Sequence, residues 1–288
     1  MRVAVLGATG FIGRALVPVL EREAEVVAIS RHGPVVADAT DADALARAFE
    51  GVDVVYYLVH SLGSSDFSSV DTRAAETVAR EASRAGAGQI VYLGGLGDDA
   101  PELSEHLRSR AETARVLSAG DVPVTTLRAA VVVGRGSAGF ETIVALVDRL
   151  PVMVAPKWVS MPTQPIALTD VVGYLAGVAG HEETLGETFD VGGPDVLTYR
   201  EMIERVARIR GRRRLIVEVP VLSPRLSSYW LHLVTPVRAG VSRPLVEGLR
   251  NSTVARDERI RALLPRALTP FDVAAREALG TANPEPLP

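Results

Sequence analysis

The sequence predicts an α/β fold, a doubly wound parallel sheet with a smaller, mainly helical lobe toward the C-terminus. Short β-branched runs alternate with helical stretches through the first two-thirds of the chain, the order that builds a parallel sheet with crossover helices. Several of those runs are apolar throughout instead of alternating, as strands covered on both faces require. The first run ends in a glycine loop, GATGFIG, that opens directly into a helical stretch.

Taken in order, strands are expected at 3–7 (VAVLG), 25–30 (EVVAIS), 34–38 (PVVAD), 53–59 (DVVYYLV), 89–95 (QIVYLGG) and 124–133 (VTTLRAAVVV). Helices are expected at 11–22, 41–49, 68–85, 101–118 and 139–149. The second opens at Thr40, with Asp43 three residues on in the manner of a capping box. Beyond residue 150 the pattern loosens. QPIALTDVVGYLAGVAG reads as strand then helix, and ETFDVGGPDVLTYREMIERVARIRG as strand, turn and helix with Thr198 as N-cap. From Pro220 onward the chain is proline-punctuated and helical, and TANPEPLP reads as a frayed tail.

Composition narrows the function classes. The 288 residues are 47% hydrophobic and 23% charged, an ordinary globular balance. A net charge of -4 gives no general attraction for nucleic acid or anionic lipid. The lack of cysteine excludes disulfides, thiol nucleophiles and thiolate metal sites, and fits a cytoplasmic location. No apolar stretch approaches the roughly 18–20 residues of a membrane span, and the opening run is too short for a leader. The five histidines show neither close pairing nor HExxH spacing, so no metal site is expected. The basic run RVARIRGRRR (205–214) also suits a helix C-terminus, and no DNA-reading motif accompanies it.

Gly7, Gly10 and Gly13 are spaced three apart, directly after a strand and at the start of a helix. The first permits a tight turn, the second lets backbone amides approach a pyrophosphate, and the third lets the helix pack closely. This is the dinucleotide-binding pattern of a Rossmann-type sheet. After the second strand stand Ser30 and Arg31 where an NAD-specific site usually has an acidic residue. A hydroxyl and a guanidinium fork suit a 2'-phosphate, so NADP(H) is the preferred cofactor and NAD(H) the second choice. Asp38, closing the third strand, is placed to accept from the adenine amino group.

On these residues the chain resembles the short-chain dehydrogenase/reductase superfamily, nearest its atypical members with an extended-type glycine motif, the YbjT-like proteins, and more distantly the NmrA-like proteins. DVVYYLVHSLG, IVYLGGLG, LSEHLRSRAE, LRAAVVVGRGSAGFE, FDVGGPDVLTYREM and LSPRLSSYW carry the resemblance over nearly the whole chain. It implies one NAD(P)-binding domain over 1–288, with a cofactor core at about 1–150 plus strand segments near 160–195. A substrate lobe at about 196–280 and a tail at 281–288 complete it. The implied cofactor contacts are Gly7, Thr9, Gly10, Phe11, Ile12 and Gly13, then Ser30, Arg31, Asp38 and Ala39, then Leu58, Val59, His60 and Gly94.

The departures from the superfamily pattern are as informative. Its serine after the fifth strand falls at Gly94–Gly95, and its Tyr-x-x-x-Lys pair is replaced by His106 and Arg110. Residues i and i+4 share a helix face, flanking an apolar stripe of Leu103, Leu107, Ala111, Ala114 and Leu117. A histidine titrating near working pH can deliver a proton, whereas arginine can only hold a hydroxyl or developing negative charge. A guanidinium one turn away also disfavours the imidazolium, which makes His106 a polarising donor more than a charged acid. The spacing of Glu102, His106 and Arg110 equally fits an exposed ladder of helix charges. His60 reads either as a second proton donor or as a loop residue closing the cleft.

Two functions follow from different classes. One is an NAD(P)H-dependent reductase of a small apolar carbonyl, enone or quinone-like compound, with His106 and Arg110 in the catalytic places. The other is a redox-inert, nucleotide-sensing protein of NmrA-like type, and a non-redox isomerase or epimerase stays open beside them. The apolar spacing of Leu226, Tyr229, Trp230, Leu233 and Val234 fits packing, a substrate wall or a subunit contact, so a homo-oligomer is left open. The expected partner is a small-molecule substrate, not nucleic acid.

Overall fold

The computed structural model describes residues 1–60, 67–97, 105–219 and 252–281, without the side chains of residues 67, 68, 105, 106, 157 and 158. Glu102, Leu103, the 222–237 helix face and the 282–288 tail lie outside them. The chain divides into two compact units, residues 1–129, 171–191 and 255–266 in the first and 130–170, 192–254 and 267–288 in the second.

The first unit is built on a seven-stranded parallel sheet. Its strands are β1 (Arg2–Leu6), β2 (Glu25–Ser30), β3 (Val35–Val36), β4 (Val54–Tyr57), β5 (Gln89–Gly95), β6 (Val124–Ala129) and β11 (Thr188–Val191). They lie side by side in the order β11-β6-β5-β4-β1-β2-β3, and every pairing is parallel. The order reverses between β1 and β4, where Val3 stands beside both Val26 and Val54. A sheet of this topology leaves a crevice at the carboxyl ends of those two strands.

Both faces are covered, which explains the uninterrupted apolar runs. One face places Ala4, Leu6, Val55, Tyr57, Ile90 and Tyr92 against α2 (Ala42–Ala48), α3 (Phe67–Arg84) and the end of α4 (Glu105–Ser118). The other packs α1 (Phe11–Leu20) and α6 (Leu168–Gly177), and the buried Tyr56 hydroxyl donates to the Leu175 carbonyl at 2.8 Å. Gln89 ties down the amino-terminal end of the sheet, donating to the Thr125 hydroxyl at 2.7 Å and the Val178 carbonyl at 2.9 Å. Its carbonyl oxygen accepts from the Gly180 amide at 2.8 Å.

The second unit holds β7 (Val132–Val133) paired with β10 (Ile166–Ala167), β8 (Val152–Pro156) with β13 (Leu215–Val219), and β9 (Pro162–Thr163) with β12 (Leu197–Thr198). Its core brings α5 (Ala138–Arg149), α7 (Tyr199–Ile209) and the C-terminal helix Phe271–Leu279 together through Phe140, Ile143, Met202, Val206 and Phe271. Thr198 caps α7 in a full capping box with Glu201, as the sequence suggests.

Three expectations need correction. α2 is capped by Asp41, whose side chain accepts from the Ala44 amide at 3.0 Å. Thr40 stands one residue before the cap, its amide and hydroxyl both donating to Asp38 Oδ1. The apolar run 124–133 is two strands in different sheets, broken after Ala129; a run buried throughout carries no periodicity to mark such a break. On α4 the buried face includes Ser109 and Thr113, and Ala111 and Ala114 are only half-buried. The Thr113 hydroxyl satisfies itself on the Ser109 carbonyl at 2.9 Å, so a polar residue can occupy that face.

Candidate functional site

The glycine turn sits at the carboxyl end of β1 and is held from both sides. The Gly7 and Ala8 amides donate to the Ile29 carbonyl at 3.0 and 3.2 Å, and the Leu58 amide donates to the Leu6 carbonyl at 3.0 Å. Gly7 has φ +87, and a Cβ there would stand 2.9 Å from the Leu58 carbonyl oxygen. At Gly13 a Cβ would come within 2.2 Å of the Gly7 oxygen and 2.7 Å of Ala8 Cα. The third glycine therefore lets the helix close onto the turn itself. α1 begins at Gly10 with no side-chain cap and no acidic residue in its first turn. Amides and helix dipole at that end favour an anion, so the turn fits a diphosphate. Thr9 is exposed beside it, and Phe11 and Ile12 are half-buried. Gly13→Ala should lower stability by about 1–3 kcal/mol, the range for overpacking against fixed backbone. It should also weaken NADPH binding, checked by urea unfolding together with a fluorescence titration.

At the end of β2, Ser30 is buried at 9% exposure and its hydroxyl accepts from the His32 amide at 3.3 Å. Arg31 is exposed on the following turn. Asp38 is exposed too, next to the buried Ala39. The hydroxyl and amide of Thr40 hold the Asp38 carboxyl below its usual range, with Arg31 adding to the effect.

A polar cluster forms where β4 and β5 end. Tyr57 and Tyr92 pack edge to face, ring centroids 5.9 Å apart. The Tyr92 hydroxyl donates to the Arg110 carbonyl at 3.2 Å, and the Arg110 guanidinium donates to the Leu93 carbonyl while lying 5.8 Å from the Tyr92 ring centre. Gly95 is the strand residue that α4 approaches, since a Cβ there would stand 3.3 Å from Leu107 and 3.5 Å from Arg110. A Cβ on Gly94 would instead meet Tyr92 of its own strand and Thr126 and Arg128 of β6. Leu58, Val59 and His60 leave β4 half-buried. His60 Nδ1 donates to Asp71 Oδ2 at 2.8 Å, and Asp71 is 2% exposed on α3. Burial pushes the His60 pKa below its ordinary value and Arg110 pushes the same way; the Asp71 carboxylate opposes both. Burial raises the Tyr57 phenol, whose oxygen makes no hydrogen bond among the described residues, well above the usual tyrosine range.

His106 lies in the first turn of α4, one turn before Arg110; its side chain lies outside the described residues. Tyr57, Tyr92 and Asp71 are what sequence reasoning missed, and Gly95 it named only with Gly94, as the place of the superfamily's serine. Only Asp71 left a signal, an acid in register with the buried positions Ala74, Ala75, Val78 and Ala82 of one helix face.

No helix among the described residues is long and apolar enough to cross a membrane, and no group of three His, Asp or Glu among them could hold a metal. Residues 7–145 match a family model described as NAD(P)H-binding. An uncharacterised protein of Mycobacterium tuberculosis is 28% identical over 239 residues, 80% of this chain, which spans about 25% of that relative's length. A Streptomyces griseus (4-alkanoyl-5-oxo-2,5-dihydrofuran-3-yl)methyl phosphate reductase is 28% identical over 244 residues, covering 77% of this chain and 79% of its own. The NADPH complex of an Escherichia coli NADPH-dependent quinone oxidoreductase superposes with TM-score 0.77 at 19% identity, over 98% of this chain and 100% of the other. The segment 7–145 is thus similar to the NAD(P)H-binding family, and the chain shares the Rossmann-like α/β fold of the solved oxidoreductase.

Proposed function

We propose that the protein is an NADP(H)-dependent reductase of a small, apolar conjugated carbonyl compound, an enone or a quinone. The observation that carries this reading is the meeting of the glycine turn and the Arg110–His60 cluster at the carboxyl ends of β1, β4 and β5. Bound there, a nicotinamide cofactor supplies hydride. The protein's own part is to hold the diphosphate on the α1 amides, exclude water, and stabilise the oxygen that gains charge. His106 and Arg110 take the places of the usual tyrosine and lysine, His106 as a hydrogen-bond donor to the substrate oxygen and Arg110 as a fixed positive charge. The Streptomyces relative is named for the phosphate ester of an alkanoyl-bearing unsaturated lactone and the Escherichia coli neighbour for a quinone. Both are conjugated acceptors.

Purified protein mixed with NADPH and a panel of enones, quinones and aldehydes should consume NADPH at 340 nm with at least one conjugated acceptor. Tight NADPH binding with no consumption across the panel, and one stoichiometric protein in pull-downs, would replace this reading with a nucleotide sensor. Arg31→Ala should weaken NADPH binding by about 10- to 150-fold, the value of a hydrogen bond to a charged group at about 1.5–3 kcal/mol, and leave NADH unchanged. Titration calorimetry of both nucleotides checks it, and an equal loss for both would remove Arg31 from 2'-phosphate recognition.

A further inference from the structure

We propose that His60, aligned by Asp71, is a catalytic acid–base residue, the group that delivers the proton in the reduction; this rests on the reductase reading above. The location comes first. His60 follows the last residue of β4 by three positions, on the strand that adjoins β1 across the reversal of strand order. Ligands of such sheets lie beyond the carboxyl ends of those two strands. Leu58, on the way to His60, packs over the glycine turn, where its carbonyl would stand 2.9 Å from a Cβ on Gly7. The imidazole thus hangs from the segment that borders the cofactor's diphosphate turn.

A carboxylate can only accept, so the 2.8 Å contact with Asp71 Oδ2 fixes the proton on Nδ1 and sets the ring's orientation. Proton exchange with a ligand then runs through Nε2. Asp71 is 2% exposed on a helix face otherwise made of Ala74, Ala75 and Val78. An acid there is costly without a partner, and a base held by a buried carboxylate is the arrangement of an oriented acid–base pair. Among the described residues, the charged groups acting on the ring include Asp71 from α3 and Arg110 from α4, and the same two groups act on the Tyr57 phenol of β4. Arg110 disfavours the imidazolium and Asp71 favours it. Asp71 is therefore a positioning residue that also lets the ring hold a second proton.

The step balances as follows. The bound reduced nicotinamide supplies a hydride, both electrons of the new C–H bond on the substrate. His60 supplies the proton: its Nε2–H bond breaks as the O–H bond forms on the substrate oxygen. The ring is left neutral with Nδ1–H still donated to Asp71, and a solvent proton restores it. In the oxidising direction the neutral ring takes the hydroxyl proton, which is the form that burial favours. Reduction should therefore fall as pH rises through the His60 pKa, below the ordinary histidine value, and oxidation should rise over the same interval.

The test compares the full chain with His60→Gln and Asp71→Asn. His60→Gln should lower kcat for the best acceptor by about 10²–10⁴-fold, the range for losing a general acid. It should leave NADPH affinity within about threefold and erase the histidine limb of the pH profile. Asp71→Asn should keep the limb but move it to lower pH, because the charge that favours the imidazolium is gone. A role confined to structure would not move the limb. Nitrogen-15 NMR of histidine-labelled protein, which needs no turnover, should find His60 as the Nδ1–H tautomer, with a lower pKa in Asp71→Asn. An Nε2–H tautomer, or unchanged kcat in His60→Gln with an active parent, would overturn the assignment and leave the reductase reading standing. A parent that binds NADPH yet reduces nothing would overturn both.

Discussion

Replacing His106 with alanine should lower kcat for acceptor reduction by about 10²–10⁴-fold, the range between losing one oxyanion donor and losing a general acid. NADPH affinity should stay within about threefold. Its place on α4 is the reason. Arg110 is anchored on β5 through the Leu93 carbonyl and the Tyr92 ring, which fixes the rotation of the helix about its axis. Position 106 is one turn earlier in the same register, toward the helix N-terminus. The ring should act by donating a hydrogen bond to the oxygen that gains charge. His106→Asn, which keeps a donor, should recover part of the loss. The two histidines are separable in one experiment: the pH limb should survive in His106→Ala and vanish in His60→Gln. Steady-state kinetics over pH 5 to 9 decides it, and unchanged kcat in His106→Ala would take that residue out of the mechanism.

Much of this site is legible in the sequence because its parts obey local rules. Gly7 and Gly13 sit where backbone crowding forbids a side chain, and spacing after a strand is enough to find them. Ser30 ends β2 as expected, and Arg110 is found by its i, i+4 relation to His106. What the sequence hides is the contact between distant elements. Asp71 reaches His60 across 11 residues, and Tyr92 reaches the Arg110 carbonyl across 18. No periodicity encodes those partners. Thr40 is misread for a local reason: Asp41 next to it is an equally good cap, and the spacing does not say which of the two accepts from Ala44. Gly94 and Gly95 differ only in which side of the pleat they face, and strand phase cannot be read from a run that is apolar on both sides.

Asp190→Ala should destabilise the protein by about 3–5 kcal/mol, the cost of breaking a buried ion pair by removing one partner. Asp190 lies on the edge strand β11 with its side chain 2% exposed. Its Oδ1 accepts from Arg128 Nε at 2.8 Å and from the second guanidinium nitrogen at 2.7 Å. Its Oδ2 accepts from the Arg256 and Asp257 amides at 2.8 and 3.2 Å. One carboxylate thus joins β6 to β11 and ties the returning segment 255–266 to the sheet. Alanine would remove an acceptor from a guanidinium that is itself only 18% exposed, and from two backbone amides. Asp190→Asn, which keeps an acceptor oxygen but not the charge, should cost less. Arg128→Met combined with Asp190→Leu should remain well below the parent, because the two amides still lack an acceptor after both charges are gone. Since a domain's whole stability is about 5–15 kcal/mol, the urea midpoint of Asp190→Ala should drop by a large fraction at unchanged slope. An unfolding free energy within about 0.5 kcal/mol of the parent would mean that the segment 255–266 holds to the sheet without this carboxylate.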